Sequence, residues 1–176
     1  MDKVAFVIGH NENDKGAYSE HLESSEWDYW NDFYDTYLTH LGDKFTHNLS
    51  KSYTKRQKAM AKLTKDYDLV FELHFNASLP SANGVEALVY YSNKKMFKIG
   101  SLYCELMSDK LGIKNRGCKR ITSGNGFGFL KETKGSAILL EPFFGSNKKD
   151  CIKYCDQVHA KIIEEIIIEF YTKWDT

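Results

Sequence analysis

The chain of 176 residues is long enough for one domain with a sizeable core, and its 42% hydrophobic and 14% aromatic residues exclude an intrinsically disordered protein. Lysine plus arginine balances aspartate plus glutamate, 24 against 24, which argues against a nucleic acid partner or an anionic lipid surface. No apolar run reaches the roughly 18 residues that a membrane span requires, so no membrane partner is expected.

Strand-like segments and helical patterns alternate along the chain. In chain order, the predicted strands cover residues 4–9, weakly 43–47, then 68–75, 85–91 and 136–144. Helices are predicted from Trp27 to Leu41, over about 52–65 and 94–111, and from Ile152 to Phe170, with the apolar spacing clearest in the first and the last. This alternation predicts an α/β fold with a twisted, mostly parallel (mixed) sheet of about five to six strands, flanked by helices on both faces.

Some parts of this pattern carry more specific expectations. Ser25 and the aspartate three positions later predict a capping box at the start of the first helix. Segments 10–24 and 121–135 are expected to be irregular. Cys151 and Cys155 are predicted to lie on the last helix as buried or half-buried thiols, typical of a chain made in a reducing compartment.

Three ionisable residues lie where predicted strands end. His10 follows the first strand, His74 closes strand 68–75, and Glu141 lies late in strand 136–144. Because ligands of open α/β sheets bind beyond the carboxyl ends of the strands, we expect these side chains to converge at one edge of the sheet.

These residue types suit zinc hydrolases, which hold the metal with three protein ligands and leave a fourth position to water. His10 and His74 are candidate ligands, and Glu141 is a candidate base that takes and returns a proton. The third ligand is expected in the loop or helix after the first strand, where three glutamates qualify: Glu20, Glu23 and Glu26. Glu26 is favoured because the first helical turn fixes its backbone better than a loop would.

Other polar residues near these positions have competing interpretations. Strand alternation places Glu72 on the same side as His74, where it is either an acceptor for a ligand imidazole or a solvent-facing edge residue, and the second interpretation is favoured. Four further histidines lack a strand-end setting and are assigned to the surface or to helix faces: His21, His40, His47 and His159.

Five short segments form an ordered set of motifs: VIGH at 7–10, ELHFNAS at 72–78, GVEALVYYS at 84–92, RGCK at 116–119 and AILLEPFFGSN at 137–147. Together they resemble the zinc-dependent N-acetylmuramoyl-L-alanine amidases of the Amidase_3 type, which include bacterial cell-wall amidases and the catalytic domains of many phage endolysins. The resemblance extends from residue 4 to the final helix.

The resemblance implies that one zinc ion (Zn2+) per chain is bound by His10, Glu26 and His74. Glu141 matches the family's catalytic carboxylate. The implied partner is peptidoglycan, in which the amide between N-acetylmuramic acid and L-alanine is hydrolysed. The loop after His10 departs from the family's usual acidic or glycine-rich run, and the glutamate ligand has no sharp local motif, so the two alternative glutamates stay open.

Asn76 and Arg116 are the expected substrate-binding residues. Asn76 matches the asparagine that follows the second zinc histidine of the family, and it either orients the ligand loop or substrate or stabilises a turn. Arg116 either contacts a carboxylate of the substrate or belongs to a structural Arg-Gly turn.

The cellular setting is inferred from features that the sequence lacks. The N-terminus has no signal-peptide pattern, and residues 1–176 are expected to form a single catalytic domain without a wall-binding module. We therefore expect a monomeric phage or prophage lysin, made in the cytoplasm and acting on the cell wall after release; cytoplasmic recycling of wall fragments is the alternative setting. The alternative functions are a zinc peptidase or deacetylase of related architecture, and a catalytically silent wall-binding module.

Overall fold

The predicted alternation of strands and helices is present in the computed structural model, which describes residues 3–47, 52–133 and 135–173. The strands are β1 (Val4–Ile8), β2 (Tyr18–Ser19), β3 (Ser24–Ser25), β4 (Asp43–Thr46), β5 (Leu69–Leu73), β6 (Val85–Tyr90), β7 (Asn115–Ile121) and β8 (Ala137–Glu141). The helices are α1 (Glu26–Phe33), α2 (Tyr53–Leu63), α3 (Lys94–Leu111), α4 (Phe127–Thr133), α5 (Lys148–Lys153) and α6 (Asp156–Lys173).

Six of the strands form one mixed sheet in the order β4-β1-β5-β8-β6-β7. All neighbouring strands are parallel except β6 and β8, which are antiparallel. The prediction of a mostly parallel, mixed sheet is therefore confirmed. Because β4, β1, β5 and β8 run in the same direction, their carboxyl ends lie along a single edge, and β6 begins at that edge with Glu86 opposite Glu141.

Strand alternation divides the apolar side chains between two layers. One set, which includes Phe6, Phe71 and Ile138, packs against α1, α3 and α6 in the larger core. The other set, which includes Ala5 and Val70, packs in a smaller core with residues of α2 and α4. Helices therefore cover both faces of the sheet, as predicted, and the even-numbered residues of β5 belong to the α2–α4 side.

The first and the last predicted helices differ from their predicted extent. The first begins at Glu26, as the Ser25 cap predicts, and after Phe33 it continues as one π-helical segment, Tyr34–Leu38. The prediction of a single C-terminal helix is wrong, because α5 ends at Lys153 and the extended backbone of Tyr154 (ψ 139°) separates it from α6. Cys155 lies in that break and is exposed, so its predicted place in an apolar helical stripe is also wrong.

Sequence patterns missed the two-residue strands β2 and β3 and two longer elements, and the longer ones lie in polar or glycine-rich segments. β7 carries the sequence NRGCKRI at the edge of the sheet, and α4 forms within the 121–135 segment that was expected to be irregular. The 10–24 segment, also expected to be irregular, includes β2, which pairs with β3 at Ser24–Ser25 to form a short hairpin. No helix in the described ranges is long and apolar enough to cross a membrane.

Candidate metal centre and active site

Two histidines and a glutamate from three separate elements meet beyond the carboxyl edge of the sheet. Glu26 Oε2 lies 3.4 Å from His10 Nε2 and 3.0 Å from His74 Nδ1. Ligand-capable atoms of all three residues lie within 4.8 Å of one another. The structure thus brings together His10, His74 and the favoured one of the three candidate glutamates.

Local structure holds Glu26 in place. It is the first residue of α1, where the Ser25 hydroxyl caps the helix by accepting a hydrogen bond from the Asp28 backbone N–H at 3.3 Å. The Glu26 carboxylate also accepts hydrogen bonds from the backbone N–H groups of Ala17 (3.1 Å) and Phe75 (3.3 Å). The alternatives Glu20 and Glu23 are exposed and lie outside this cluster.

Two glycines allow the histidine rings to lie close to the backbone. A Cβ atom on Gly9 would lie 2.3 Å from the His74 ring, and one on Gly16 would lie 2.5 Å from the His10 ring. His10 itself has a φ of 65°, a left-handed conformation that is unusual for a residue with a side chain. Strain of this kind is commonly found at functional sites, where surrounding contacts compensate for it.

Within the cluster, the Glu26 carboxylate and the His74 imidazole shift each other's pKa. Burial by itself would raise the pKa of Glu26, but hydrogen bonds with His10 and His74 outweigh it and lower the pKa to about 2. Burial alone would lower the pKa of His74, but hydrogen bonds with Glu26 and Glu72 raise it well above its ordinary value. A metal ion must displace the proton that His74 holds, because only a neutral imidazole can be a ligand.

The cluster fits zinc by donor chemistry and by spacing. Two imidazoles and one carboxylate form a three-ligand set found in zinc hydrolases. With zinc–ligand bonds of about 2.0–2.1 Å in a tetrahedral site, adjacent ligand atoms are separated by about 3.3 Å. The two distances from Glu26 Oε2, 3.4 and 3.0 Å, are close to that value.

A cavity of about 350 Å³ opens beside the cluster. The three cluster residues line it, together with residues of α2 and of the segment before α4: Tyr53, Arg56, Gln57, Asn125 and Gly126. Glu141, the last residue of β8, lines the same cavity. Burial raises the pKa of its carboxyl to about 8, so in the metal-free protein it holds a proton at neutral pH.

Four residues that line the cavity each have a buried polar atom that lacks a hydrogen-bond partner among the described residues: His47 Nδ1, Gln57 Oε1, Glu72 Oε2 and Glu141 Oε2. Most buried polar atoms in folded proteins are hydrogen-bonded, so a group of unpartnered ones marks a place where a ligand or water completes the bonding. The unpartnered atoms around this cavity therefore indicate a binding site.

Glu72 and His47 are the cavity residues whose settings the sequence interpretation misjudged. Glu72 is only 2% exposed, so the favoured solvent-facing role is wrong. His47, assigned to the surface or to a helix face, directly follows β4 and is 6% exposed, and its Nε2 lies 3.4 Å from Glu72 Oε1. The alternation that places Phe45 in the smaller core also places His47 on that side, which is the signal that could have identified it.

Asn76 and Arg116 both donate hydrogen bonds to Glu86. The Asn76 side-chain amide donates to Glu86 Oε1 at 2.8 Å, and Arg116 Nε donates to Glu86 Oε2 at 2.6 Å, while Lys119 contacts the same oxygen. Asn76 lines the cavity, whereas Arg116 lies outside the lining and packs over the Phe144 ring. A role for either residue in binding substrate stays a prediction.

The remaining histidines separate into exposed and buried ones. His21 and His40 are exposed, as expected. His159 is fully buried in the larger core, where the hydroxyl groups of Tyr103 and Tyr154 contact its two ring nitrogens at 2.8 and 2.6 Å. His159 lies on a helix face, one of the two predicted settings, and that face of α6 is buried.

Comparison with known proteins associates this fold and site with one family. The model of the Amidase_3 family, described as N-acetylmuramoyl-L-alanine amidase, matches residues 4–170. Among proteins of curated function, none matches the chain.

Solved structures match nearly the whole chain. The catalytic domain of the CD27L endolysin targeting Clostridia difficile is 27% identical, with a TM-score of 0.71, and the match covers 96% of this chain and 98% of that one. An N-acetylmuramoyl-L-alanine amidase from Clostridium difficile 630 is 18% identical, with a TM-score of 0.74 and 98% of both chains covered. The catalytic domain of CwlV, an N-acetylmuramoyl-L-alanine amidase from Bacillus (Paenibacillus) polymyxa var. colistinus, is 21% identical, with a TM-score of 0.73 and coverage of 97% and 98%. At their identities, the last two show likeness of fold alone.

Proposed function

The chain belongs to the Amidase_3 family of N-acetylmuramoyl-L-alanine amidases, which are zinc-dependent, and on this premise we propose that His10, Glu26 and His74 bind one zinc ion. Glu141 is then the catalytic carboxylate. The observation that supports both roles is that the three-ligand cluster and a buried carboxyl group line one cavity. The bond hydrolysed is the amide between the lactyl group of N-acetylmuramic acid and L-alanine.

The protein's own residues supply orientation and proton transfer. Zinc, when bound, polarises the scissile carbonyl and lowers the pKa of the attacking water to about 7. Glu141 takes a proton from that water and returns it to the departing amine of L-alanine. Burial raises the pKa of this carboxyl group to about 8 in the metal-free protein, and a cation held at the cluster would lower it, so Glu141 is ionised when it accepts the proton of water and protonated when the amine departs.

The cell-wall setting is part of the same proposal. Peptidoglycan is the substrate implied by the family, and the 27% identity to an endolysin catalytic domain favours a lysin that acts on the wall after release. Phage or prophage origin rests on that likeness and on the sequence pattern.

Digestion of purified peptidoglycan tests the proposal. We expect new N-terminal L-alanine in the presence of the protein, its loss after treatment with a chelator, and its return when zinc is added. The Glu141→Gln variant provides the matched inactive control. Release of acetate, or of peptides with a different new N-terminus, would instead identify a deacetylase or a peptidase.

A further inference from the structure

Glu72 lies between two imidazoles on the α2–α4 side of the sheet. Its Oε1 is 3.4 Å from His47 Nε2 and 3.7 Å from His74 Nε2. The side chains of Glu72 and His47 are only 3% and 4% exposed, and both residues line the cavity. The opposite ring nitrogen of His74, Nδ1, faces Glu26. The His74 ring thus lies between two carboxylates.

We propose that Glu72, held by His47, positions His74 for metal binding by accepting a hydrogen bond from His74 Nε2–H. This inference rests on the metal site proposed above and adds two positioning residues to it. An imidazole that binds a metal through one nitrogen carries its proton on the other, and a carboxylate acceptor fixes that tautomer and the ring orientation. The present 3.7 Å separation is an ion-pair contact, which a small rotation of either side chain brings into hydrogen-bond range.

A purely structural role explains the pair less well. Burying a carboxylate is costly, and an apolar side chain of similar size often serves a strand interior equally well or better. The neighbouring residue on the same side of β5, Val70, is such an apolar residue. Glu72 and His47 each also keep one buried polar atom without a described partner, a cost in stability that a purely structural pair would be expected to avoid.

The direct test is the zinc dissociation constant, measured by competition with a chromogenic chelator. We expect Glu72→Gln to bind zinc about 10- to 100-fold more weakly than wild type. His47→Gln should show a smaller loss in the same direction. Because His47 acts through Glu72, the double variant should bind zinc no more than about twofold more weakly than Glu72→Gln alone.

Matched controls and a second readout separate positioning from folding. Glu105→Gln on α3 and His40→Gln change exposed residues and should leave zinc affinity at the wild-type level. Glu72→Leu combined with His47→Leu replaces both buried partners by apolar side chains, so this variant should weaken zinc binding without lowering the melting temperature of the metal-free protein, even if the glutamine variant folds poorly. The visible spectrum of the cobalt-substituted protein should also shift in the Glu72 variants, because the ligand field of His74 changes.

The outcomes distinguish this inference from the proposed function. Wild-type zinc affinity in both Glu72 variants would overturn the positioning role while leaving the amidase proposal intact, and so would additive losses for His47 and Glu72. If wild-type protein itself bound no zinc, the proposed metal site would fail and this inference with it.

Discussion

At the scale of single residues, the absence of a side chain at Gly9 is as important for the candidate site as the presence of the ligands. A methyl group there would lie 2.3 Å from the His74 ring, so Gly9→Ala must displace a candidate ligand. We expect zinc affinity to fall at least about tenfold, the scale of other changes that disturb ligand orientation. Gly135→Ala is the matched control, because its nearest neighbour is 4.0 Å away. Equal affinities in the two variants would show that His74 is not held by this contact.

Glu141 permits a test that separates metal binding from turnover. Glu141→Gln keeps the shape of the side chain but cannot take up the proton of the attacking water, so we expect turnover to fall by about 10²- to 10⁴-fold. Zinc content should stay at the wild-type level, because Glu141 is not among the three clustered ligand residues. The measurement is zinc per chain together with the rate of L-alanine exposure. Full activity in this variant would exclude Glu141 as the catalytic carboxylate.

Sequence reasoning identified the site residues that follow strands, and it failed where burial depends on tertiary packing. His10, His74 and Glu141 could be found because parallel strands end at one edge. Alternation gives the side of the sheet on which Glu72 and His47 lie, but their burial was missed because it depends on α2 and the α4 region covering that side. A polar residue at the end of a strand looks the same in sequence whether a helix covers it or water does.

At the scale of elements, the N-terminus of α1 connects helix capping to the site. Ser25→Ala removes the cap, and we expect a loss of about 1 kcal/mol in stability together with weaker zinc binding, because Glu26 is the next residue. Asn93→Ala removes the cap of α3, where the Asn93 side chain accepts a hydrogen bond from the Met96 N–H. It should cost similar stability but leave zinc affinity unchanged. Stability is measured by urea unfolding, and zinc affinity is measured by competition with a chelator. Equal zinc affinity in the two variants would show that the Ser25 cap does not help to position Glu26 for zinc binding.

The two longer elements that sequence patterns missed, β7 and α4, each lack the local signal used to predict strands or helices. β7 lies at the sheet edge and carries lysine and arginine, so it lacks the apolar run by which the central strands were predicted. α4 is seven residues long, and burial of Phe129 and Leu130 against the sheet stabilises it rather than its own helix propensity. Strongly apolar β5 and β8, covered on both faces, were predicted near their true positions.

At the scale of the whole molecule, a buried histidine should make stability depend on pH. Burial lowers the pKa of His159 to about 3, below its ordinary value of 6.5. On acidification the unfolded chain takes up this proton first, so the stabilising contribution of neutral His159 is present above pH 6.5 and is lost as pH falls towards 3. One such proton changes the free energy of unfolding by at most about 1.4 kcal/mol per pH unit.

The comparison of wild type with His159→Gln isolates this effect from the other titrating groups. The stability difference between the two proteins, measured by urea unfolding of the metal-free forms, should shrink as pH is lowered from 6.5 to 5. His40→Gln changes an exposed side chain, so its free energy of unfolding should change with pH in the same way as that of wild type. A His159 difference that stays constant with pH would mean that the histidine is already protonated in the folded core.

The bond that the whole molecule breaks can be identified most directly by following oxygen from water into the products. Purified muropeptides would be digested in ¹⁸O-labelled water and the products identified by mass spectrometry. We predict that one ¹⁸O atom enters the lactyl carboxylate of N-acetylmuramic acid and that unlabelled L-alanine becomes the new N-terminus of the peptide. Label in acetate or in a carboxylate of the peptide, with the lactyl amide intact, would contradict the assignment of the cavity as an amidase site.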